Sequence, residues 1–134
     1  MASNFYLSDA TANAAANAAC ALCNSGYINI YSGTQPANAN TGLSGNTLLA
    51  QLTFGATAFG AAAAGVATAN AITSGTAGNT GTATWFRALE TNGSTVVFDG
   101  SCGTATADMI LGTTSIVAGA VVAATSLTYT QPEH

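Results

Sequence analysis

The sequence has no lysine and a single arginine, Arg87, among its 134 residues. A protein that follows a nucleic-acid backbone displaces counterions with several Lys or Arg side chains, and a polybasic membrane contact needs a similar cluster. We therefore expect no nucleic-acid partner and no membrane partner. The N-terminal residues lack the positive region and apolar run of a secretory signal. The most apolar stretch, residues 59–72, is too short and too mildly apolar to span a bilayer.

Histidine is absent from the interior of the chain, because the only one is the last residue, His134. Nucleophilic catalysis by serine or cysteine needs a base beside the nucleophile. The five acids are scattered along the chain: Asp9, Glu90, Asp99, Asp108 and Glu133. Glu90 and Asp99 flank a predicted hairpin, where we expect a solvated rim with Arg87 as partner. The Gly-rich residues 75–81 carry no lysine and open no helix, which excludes a phosphate loop. We predict no enzyme, no catalytic residue and no cofactor.

Cysteine is scarce, with Cys20, Cys23 and Cys102 as the only three. An odd number in a chain without an export signal argues against a disulfide framework. A zinc site needs four ligands, and only Cys102 and His134 could join the Cys20/Cys23 pair. A thioredoxin-like site needs a helix that starts at the pair, whereas this pair lies late in a predicted helix. We predict reduced, structural thiols and no metal site.

Large apolar side chains are also few, since Leu, Ile, Val and Phe make up 25 residues while Ala, Thr and Gly make up 66. Chain entropy costs about 1–2 kcal/mol per residue, and a buried alanine recovers much less of it than a buried leucine. With a charged fraction of only 4%, the surface is also poor in charge for a soluble monomer. Neighbouring subunits that cover the surface would relieve both deficits. A soluble monomer solvated by Thr, Asn and Ser stays open as the alternative.

Residues 10–22 predict an α-helix, because alanine, the best helix former, dominates them. Ser8 or Asp9 can cap its N-terminus. One face carries small apolar side chains, namely Ala12, Ala15, Ala16, Ala19, Cys20, Leu22 and Cys23. Asn13 and Asn17 lie on the opposite side. We interpret this as a docking helix whose smooth face packs either on its own sheet or on a neighbour.

From Tyr27 onward, apolar residues alternate with period two, which is typical of β-strands. The predicted strands cover residues 27–31, 48–54, 82–90, 94–99, 108–111, 115–118 and 120–129. Residues 58–70 favour an irregular extended crossing, and residues 73–81 predict a loop. One helix followed by about seven short strands indicates a mainly β fold, an antiparallel β-sandwich or a jelly-roll-like barrel with one short N-terminal helix. Residues 1–26 form the helical docking segment, and residues 27–134 form a single β domain.

The alternation also predicts which side chains face the core. In strand 48–54 the inward residues are Leu48, Ala50, Leu52 and Phe54. In strand 82–90 we expect Trp85 on the buried face and Phe86 on the opposite one. Asn92-Gly93 is the strongest hairpin signal, because both positions tolerate positive φ. We predict a two-residue or slightly bulged turn there.

Several blocks occur in one order: INIYSGTQPANA, SGNTLLAQLTFG, GVATANAITS, GTATWFRALE, TVVFDGS, TTSIVAGA and SLTYTQP. Together they resemble a family of small structural proteins of tailed bacteriophages and prophages, over about 100 residues from 28 to 132. The Cys20/Cys23 pair departs from that family. The resemblance brings no catalytic residues with it.

The resemblance implies a virion protein made in the bacterial host cytoplasm. We expect a capsid decoration (cement) protein on the capsid exterior, with the major capsid protein lattice and copies of itself as partners. A tail-associated or head–tail joining protein is the first alternative. A non-viral surface-binding β domain is the second, but its Thr-x-Thr triplets at Thr82/Thr84, residues 104–106 and residues 128–130 are unevenly spaced.

Overall fold

The computed structural model describes residues 5–131. Its single helix, α1, spans Asp9–Ala21, as the alanine-rich stretch predicts. Ser8 is the N-cap, and its Oγ accepts a hydrogen bond of 3.2 Å from the backbone N–H of Thr11. The acidic Asp9 lies in the first turn, where the helix dipole favours a negative charge.

The remainder of the fold is built from short strands. They are β1 (Tyr27–Tyr31), β2 (Leu48–Phe54), β3 (Val66–Thr68), β4 (Ile72–Thr73), β5 (Gly75–Thr76), β6 (Gly81–Thr82), β7 (Trp85–Leu89), β8 (Val96–Gly103), β9 (Met109–Leu111), β10 (Ser115–Ile116), β11 (Val121–Val122) and β12 (Ala124–Thr130). Eight of them form one sheet in the order β3-β12-β9-β8-β7-β1-β2-β4. The pairs β10-β6 and β11-β5 form two small sheets. The predicted mainly β class with one N-terminal helix is confirmed.

The two ends of the large sheet are joined by three residues of chain. At one end Thr68 of β3 pairs with Thr128 of β12, and at the other Ile72 of β4 pairs with Phe54 of β2. The Cα atoms of Thr68 and Ile72 are four peptide units apart, so at most about 15 Å separates them. A flat sheet of eight strands would be about 34 Å wide. The sheet must therefore curl on itself as in a barrel.

One strand pair departs from the expected antiparallel pattern. β8 and β9 run parallel, with Cys102 opposite Met109 and Gly103 opposite Ile110. A parallel connection normally needs a dozen or more residues. Here residues 104–108 suffice, because the paired stretch is only two residues long.

The segments between β2 and β7 are more ordered than the sequence indicates. The expectation of an extended conformation for residues 58–70 is confirmed, since β3 lies there and Ala63 and Val66 bond each other's backbones at 2.9 Å. Between them Ala64 and Gly65 have φ of 51° and 76°, which makes a tight hairpin turn. The expectation of a plain loop over residues 73–81 is wrong, because β5 lies there and β4 and β6 overlap its ends.

The core lies on the concave face of the curled sheet. Alternate residues of β1 and β7 contribute to it, with Ile28 paired to Ala88 and Ile30 paired to Phe86. Gly100 of β8 lies opposite Phe86. A Cβ at that glycine would be 2.6 Å from the Phe86 ring, so the ring occupies the space that a side chain would need.

β2 begins one residue out of the expected phase. Ala50, Leu52 and Phe54 are buried as predicted, but Leu48 is 40% exposed and Leu49 is buried instead. The pairing with β1 shifts at this point, since Ile30 pairs with Ala50 while the next residue pairs with Leu48. The bulge reverses the direction of the first side chains of the strand.

α1 packs on its own sheet, against β3 and β12. Ala12, Ala16 and Cys20 are buried in that contact, whereas Leu22, expected on the same face, is 51% exposed. The helix ends at Ala21, so Leu22 lies at its C-cap and points away from the packed face.

Asn13 and Asn17, expected on the side of the helix opposite its packed face, make packing contacts, and so does Asn24 after the end of the helix. Their side-chain Oδ1 atoms accept hydrogen bonds of 2.8 Å from three backbone N–H groups of one neighbouring segment. The pairs are Asn13 with Gly65, Asn17 with Ala62, and Asn24 with Ala58. This asparagine ladder fixes residues 58–65 beside the helix and satisfies backbone donors that no strand pairs.

The hairpin between β7 and β8 is wider than a two-residue turn. The backbone N–H of Glu90 donates to Thr95 O, and that of Gly93 donates to Glu90 O, both at 2.9 Å. Gly93 has a φ of 73°. Asn92 is instead an acceptor, since its Oδ1 bonds the backbone N–H groups of Ser94 and Thr95. The turn is at the predicted place, but only its glycine has positive φ.

Candidate functional site

The convex face of the central strands carries Arg87 and Asp99, the ion pair that the sequence predicted. Cross-strand pairing places Gln51, Asn29, Arg87 and Asp99 side by side in one row on β2, β1, β7 and β8. Gln51 Nε2 donates to Asn29 Oδ1 at 2.9 Å, and Asn29 Nδ2 donates to Tyr31 Oη at 3.3 Å. The row therefore contains two hydrogen-bonded groups, Gln51–Asn29–Tyr31 on β2 and β1 and Arg87–Asp99 on β7 and β8.

Arg87 and Asp99 form a two-pronged ion pair. Arg87 Nε is 2.7 Å from Asp99 Oδ1, and Arg87 Nη2 is 2.9 Å from Asp99 Oδ2. Arg87 Nη2 also donates to the backbone oxygen of Thr41 at 2.9 Å. The hydrogen bond to Asp99 raises the pKa of Arg87 further above its ordinary value, against the opposing effect of burial.

The expectation of a solvated rim is wrong for this pair. Arg87 is only 6% exposed, because the loop of residues 32–47 folds over it. Asn46 holds that loop in place by donating from Nδ2 to the backbone oxygens of Ser32 and Thr34. The predicted partner Asp99 is confirmed, but both charges lie under the loop, whereas Glu90 lies half-buried beyond the end of β7.

The aromatic side chains of this face are closed to ligands as well. Trp85 stacks on Tyr31 with ring centroids 4.7 Å apart and an interplanar angle of 21°. The guanidinium carbon of Arg87 is 5.3 Å from the Trp85 ring centre. Trp85 is buried as expected, but Phe86 on the opposite face is buried as well, so β7 has no exposed face.

The remaining acids lie on separate elements. Asp9 is at the start of α1, Glu90 follows β7, and Asp108 precedes β9. Asp108 Oδ2 accepts hydrogen bonds from the backbone N–H and the hydroxyl of Ser101, at 3.0 and 3.1 Å. Glu133 and His134 lie outside the described residues. Within residues 5–131, no three His, Cys, Asp or Glu side chains are grouped so that they could hold a metal ion.

A cleft of about 190 Å³ lies beside Asp108. Phe98 and Tyr129 form its aromatic wall, with ring centroids 4.9 Å apart at an angle of 46°. Tyr129 Oη is engaged with Gln131 Oε1 at 3.2 Å. The Ser101 hydroxyl that donates to Asp108 is not among the residues that line this cleft.

All three cysteines are free thiols. Cys20 and Cys23 lie in the hydrophobic core at the C-terminal end of α1, where the helix dipole does not favour a thiolate. Burial raises the pKa of Cys20 to about 11. Burial, together with Cys20 and Glu90, raises that of Cys23 to about 12. Burial and the nearby Asp108 raise the pKa of Cys102 to about 12. At neutral pH these thiols are protonated and poor nucleophiles.

An apolar groove opens on the surface formed by residues 112–123. Val117 and Val121 are 56% and 71% exposed, and both line a groove of about 220 Å³ within residues 112–123. The alternation of the sequence predicts strands over residues 115–118 and 120–129 but does not single out this groove. The signal that could have found it is the absence of any charged residue between Asp108 and Glu133.

Two classes of contact can be judged from these positions. The only Lys or Arg side chain of the sequence is buried in the ion pair, so it is not presented to a phosphate backbone. None of the helices among residues 5–131 has the length and apolar character that crossing a membrane requires.

The Thr-x-Thr triplets lie on different elements, at β6, between β8 and β9, and at the end of β12.

Comparisons with protein-family models, with curated proteins and with solved structures gave no match for this chain.

Proposed function

We propose that this chain is a structural protein of a tailed-bacteriophage virion. Specifically, we propose a capsid decoration protein that binds the outer face of the major capsid protein lattice, together with copies of itself, and reinforces it. The sequence resemblance suggests the class. The observation that carries the proposal is an exterior with almost no charge.

That exterior follows from where the few charged side chains lie. Among residues 5–131, the ion pair of Arg87 and Asp99 is buried, and Asp9, Glu90 and Asp108 are the charged side chains left outside it. A soluble monomer usually carries about 25–35% charged residues on its surface. An uncharged surface of Ala, Thr, Ser and Asn is instead suited to be covered, because its burial desolvates no ion.

A repetitive shell makes such a surface effective. Each contact can be weak, because many identical contacts on one lattice act together and raise the overall avidity. Salt has little influence on contacts that contain no charge. Reinforcement of a capsid needs binding of this kind and no chemistry, which agrees with the absence of an assembled catalytic group among the described residues.

The test is the number and location of copies in purified particles. We would isolate particles of the phage or prophage that encodes this chain and measure its ratio to the major capsid protein by quantitative mass spectrometry. A matched particle preparation from a deletion of the gene, with and without a plasmid copy, is the control. Cryo-electron microscopy of both preparations would locate the difference in density.

Hundreds of copies per particle on the head surface, together with weaker heat resistance of the deletion particles, are the expected results. A handful of copies, or a multiple of six at the tail, would replace the decoration role with a tail or head–tail joining role. Complete absence from washed particles would overturn the virion assignment.

A further inference from the structure

Residues 112–123 form a fixed surface rather than a loose loop. β10 pairs with β6 and β11 pairs with β5, and the turn between β10 and β11 is closed by the backbone bond from Ala120 N–H to Val117 O at 2.9 Å. Ala77 anchors the turn on both sides, because its N–H donates to Ala120 O and its oxygen accepts from Gly119, both at 2.8 Å. The side chains of this segment therefore have defined positions.

The segment combines a projecting part and a recess. Val117 and Val121 project into solvent, while Ile116 and Val122 lie at the base of the groove of about 220 Å³. Two exposed valines that line one apolar groove indicate a contact surface, because leaving them in water forgoes the stabilisation that burial brings. Since the projecting part and the recess belong to the same segment, two copies related by a twofold axis can each place the valines of one against the groove of the other.

Charge favours a second copy as the occupant. The chain has a net charge of −4, so two copies repel each other wherever their carboxylates approach. Residues 109–132 carry no charge at all, and a contact made there avoids an unpaired carboxylate at the interface. The backbone of β11 can also take part in the contact. Among the described strands only β5 pairs with β11, so the other edge of β11 is left for a strand of the second copy.

We propose that residues 112–123 are a twofold self-association surface, with Val117, Val121 and the edge of β11 in contact with the same residues of a second copy. This deepens the proposed function, since it rests on the self-association part of it and names the surface. A standard interface uses about 20–30 residues a side, and this one uses about half as many. We therefore expect a weak dimer in solution, with a dissociation constant of about 10–100 µM, which avidity on a lattice would reinforce.

The first experiment measures the mass of the purified protein by sedimentation equilibrium, from about 5 µM to about 1 mM. We expect a monomer–dimer equilibrium for the unaltered chain and at least a tenfold weaker one for Val121→Asp, because two new carboxylates would face each other without a base. Leu43→Asp is the matched control, since it places the same charge at another exposed apolar residue, in the loop over Arg87. It should dimerise like the unaltered chain.

The second experiment tests proximity by cross-linking. Val121→Cys should form a disulfide-linked dimer under mild oxidation, because pairing of the two β11 edges about the twofold axis would bring the two copies of residue 121 within the Cα distance of about 7 Å that a disulfide allows. Cys20 and Cys23 are buried and Cys102 is half-buried, so the unaltered chain gives the background. Leu43→Cys controls for random collision.

The proposal is overturned if the unaltered chain stays monomeric at about 1 mM, if Leu43→Asp weakens the dimer as much as Val121→Asp, or if Val121→Cys cross-links no faster than Leu43→Cys. None of these results would bear on whether the chain binds a capsid, because both experiments use the purified protein alone. Conversely, a confirmed dimer that is absent from particles would overturn the virion role and leave this surface intact.

Discussion

The central strands β1 and β7 are buried on both faces, and the two faces are closed by different means. On the concave face, Ile28, Ile30 and Phe86 pack with other apolar side chains of the curled sheet. On the convex face, Arg87 and its neighbours are covered by the loop of residues 32–47, which is attached through backbone oxygens. A chain with few large apolar residues thus fills one core and covers the second face with a hydrogen-bonded loop.

The two faces should respond differently to substitution. The concave face depends on shape, because its packed side chains have no space to move. The convex face depends on complete pairing, because a buried polar group without a partner is costly. Four substitutions or conditions, from the largest expected effect to the smallest, test whether this difference is real.

Arg87→Ala should cause the largest loss, about 3 kcal/mol in the free energy of unfolding. It leaves the Asp99 carboxylate buried without a partner, and the lower end of the usual 3–5 kcal/mol applies because the cover is one loop thick. Urea denaturation, monitored by the fluorescence of Trp85, measures this loss. The double variant Arg87→Met/Asp99→Leu should recover most of the loss, since no charge remains. A double variant as unstable as the single one would show that the loop depends on the guanidinium for more than pairing.

Gly100→Ala tests the concave face and should destabilise by about 1–3 kcal/mol. The new Cβ would be 2.6 Å from two carbons of the Phe86 ring, and that ring is enclosed by the core. Gly78→Ala is the matched control, because nothing lies within 4 Å of its Cβ position. Equal urea midpoints for the two variants would mean that the concave face yields more easily than its packing indicates.

Gly93→Val addresses the turn that joins strands β7 and β8. A β-branched residue at a φ of 73° is strained, so we expect a loss of about 1 kcal/mol. Gly42→Val should change the melting temperature little, because its backbone is not left-handed and its Cβ position is open. An unchanged melting temperature for Gly93→Val would contradict the turn geometry.

High pH should lower the free energy of unfolding through the buried thiols, and this is the smallest of the four effects. Their pKa values in the folded chain are about 11 to 12, against 9.0 for a free thiol. The unfolded chain therefore loses protons first, and the free energy of unfolding falls as pH rises above about 8. At pH 8.5 the loss is about 0.5 kcal/mol for the three thiols together. A variant with all three cysteines replaced by alanine should lose this slope, and the same slope in that variant would exclude the thiols as its cause.

The helix illustrates how far sequence reasoning reached. Its bounds and its Ser8 cap follow from local composition, and the alternating residues of β1 follow from period two. The asparagine ladder of Asn13, Asn17 and Asn24 was not predicted, because an amide on a helix gives no local sign of which backbone it will meet. The backbone groups that it bonds are 34 to 52 residues further along the chain.

The ion pair of the convex face was partly predictable from the sequence. The pairing of Arg87 with Asp99 follows from their positions across a hairpin. Its burial does not, since the loop that covers it is attached through the backbone oxygen of Thr41, which lies 46 residues before Arg87 in the chain. The shift at Leu48 and Leu49 depends on a bulge against β1, which only the paired strand defines.

By itself, the sequence determined the helix, the strand-rich remainder and the near absence of charge, because propensity, alternation and composition are local properties. The tertiary structure alone decided that the large sheet curls far enough for three residues of chain to join its end strands β3 and β4. It also decided that the single arginine is buried. It also decided which valines remain in water. These outcomes depend on contacts between residues that are distant in the chain. Such contacts form only when the chain folds, so no local stretch of sequence indicates them.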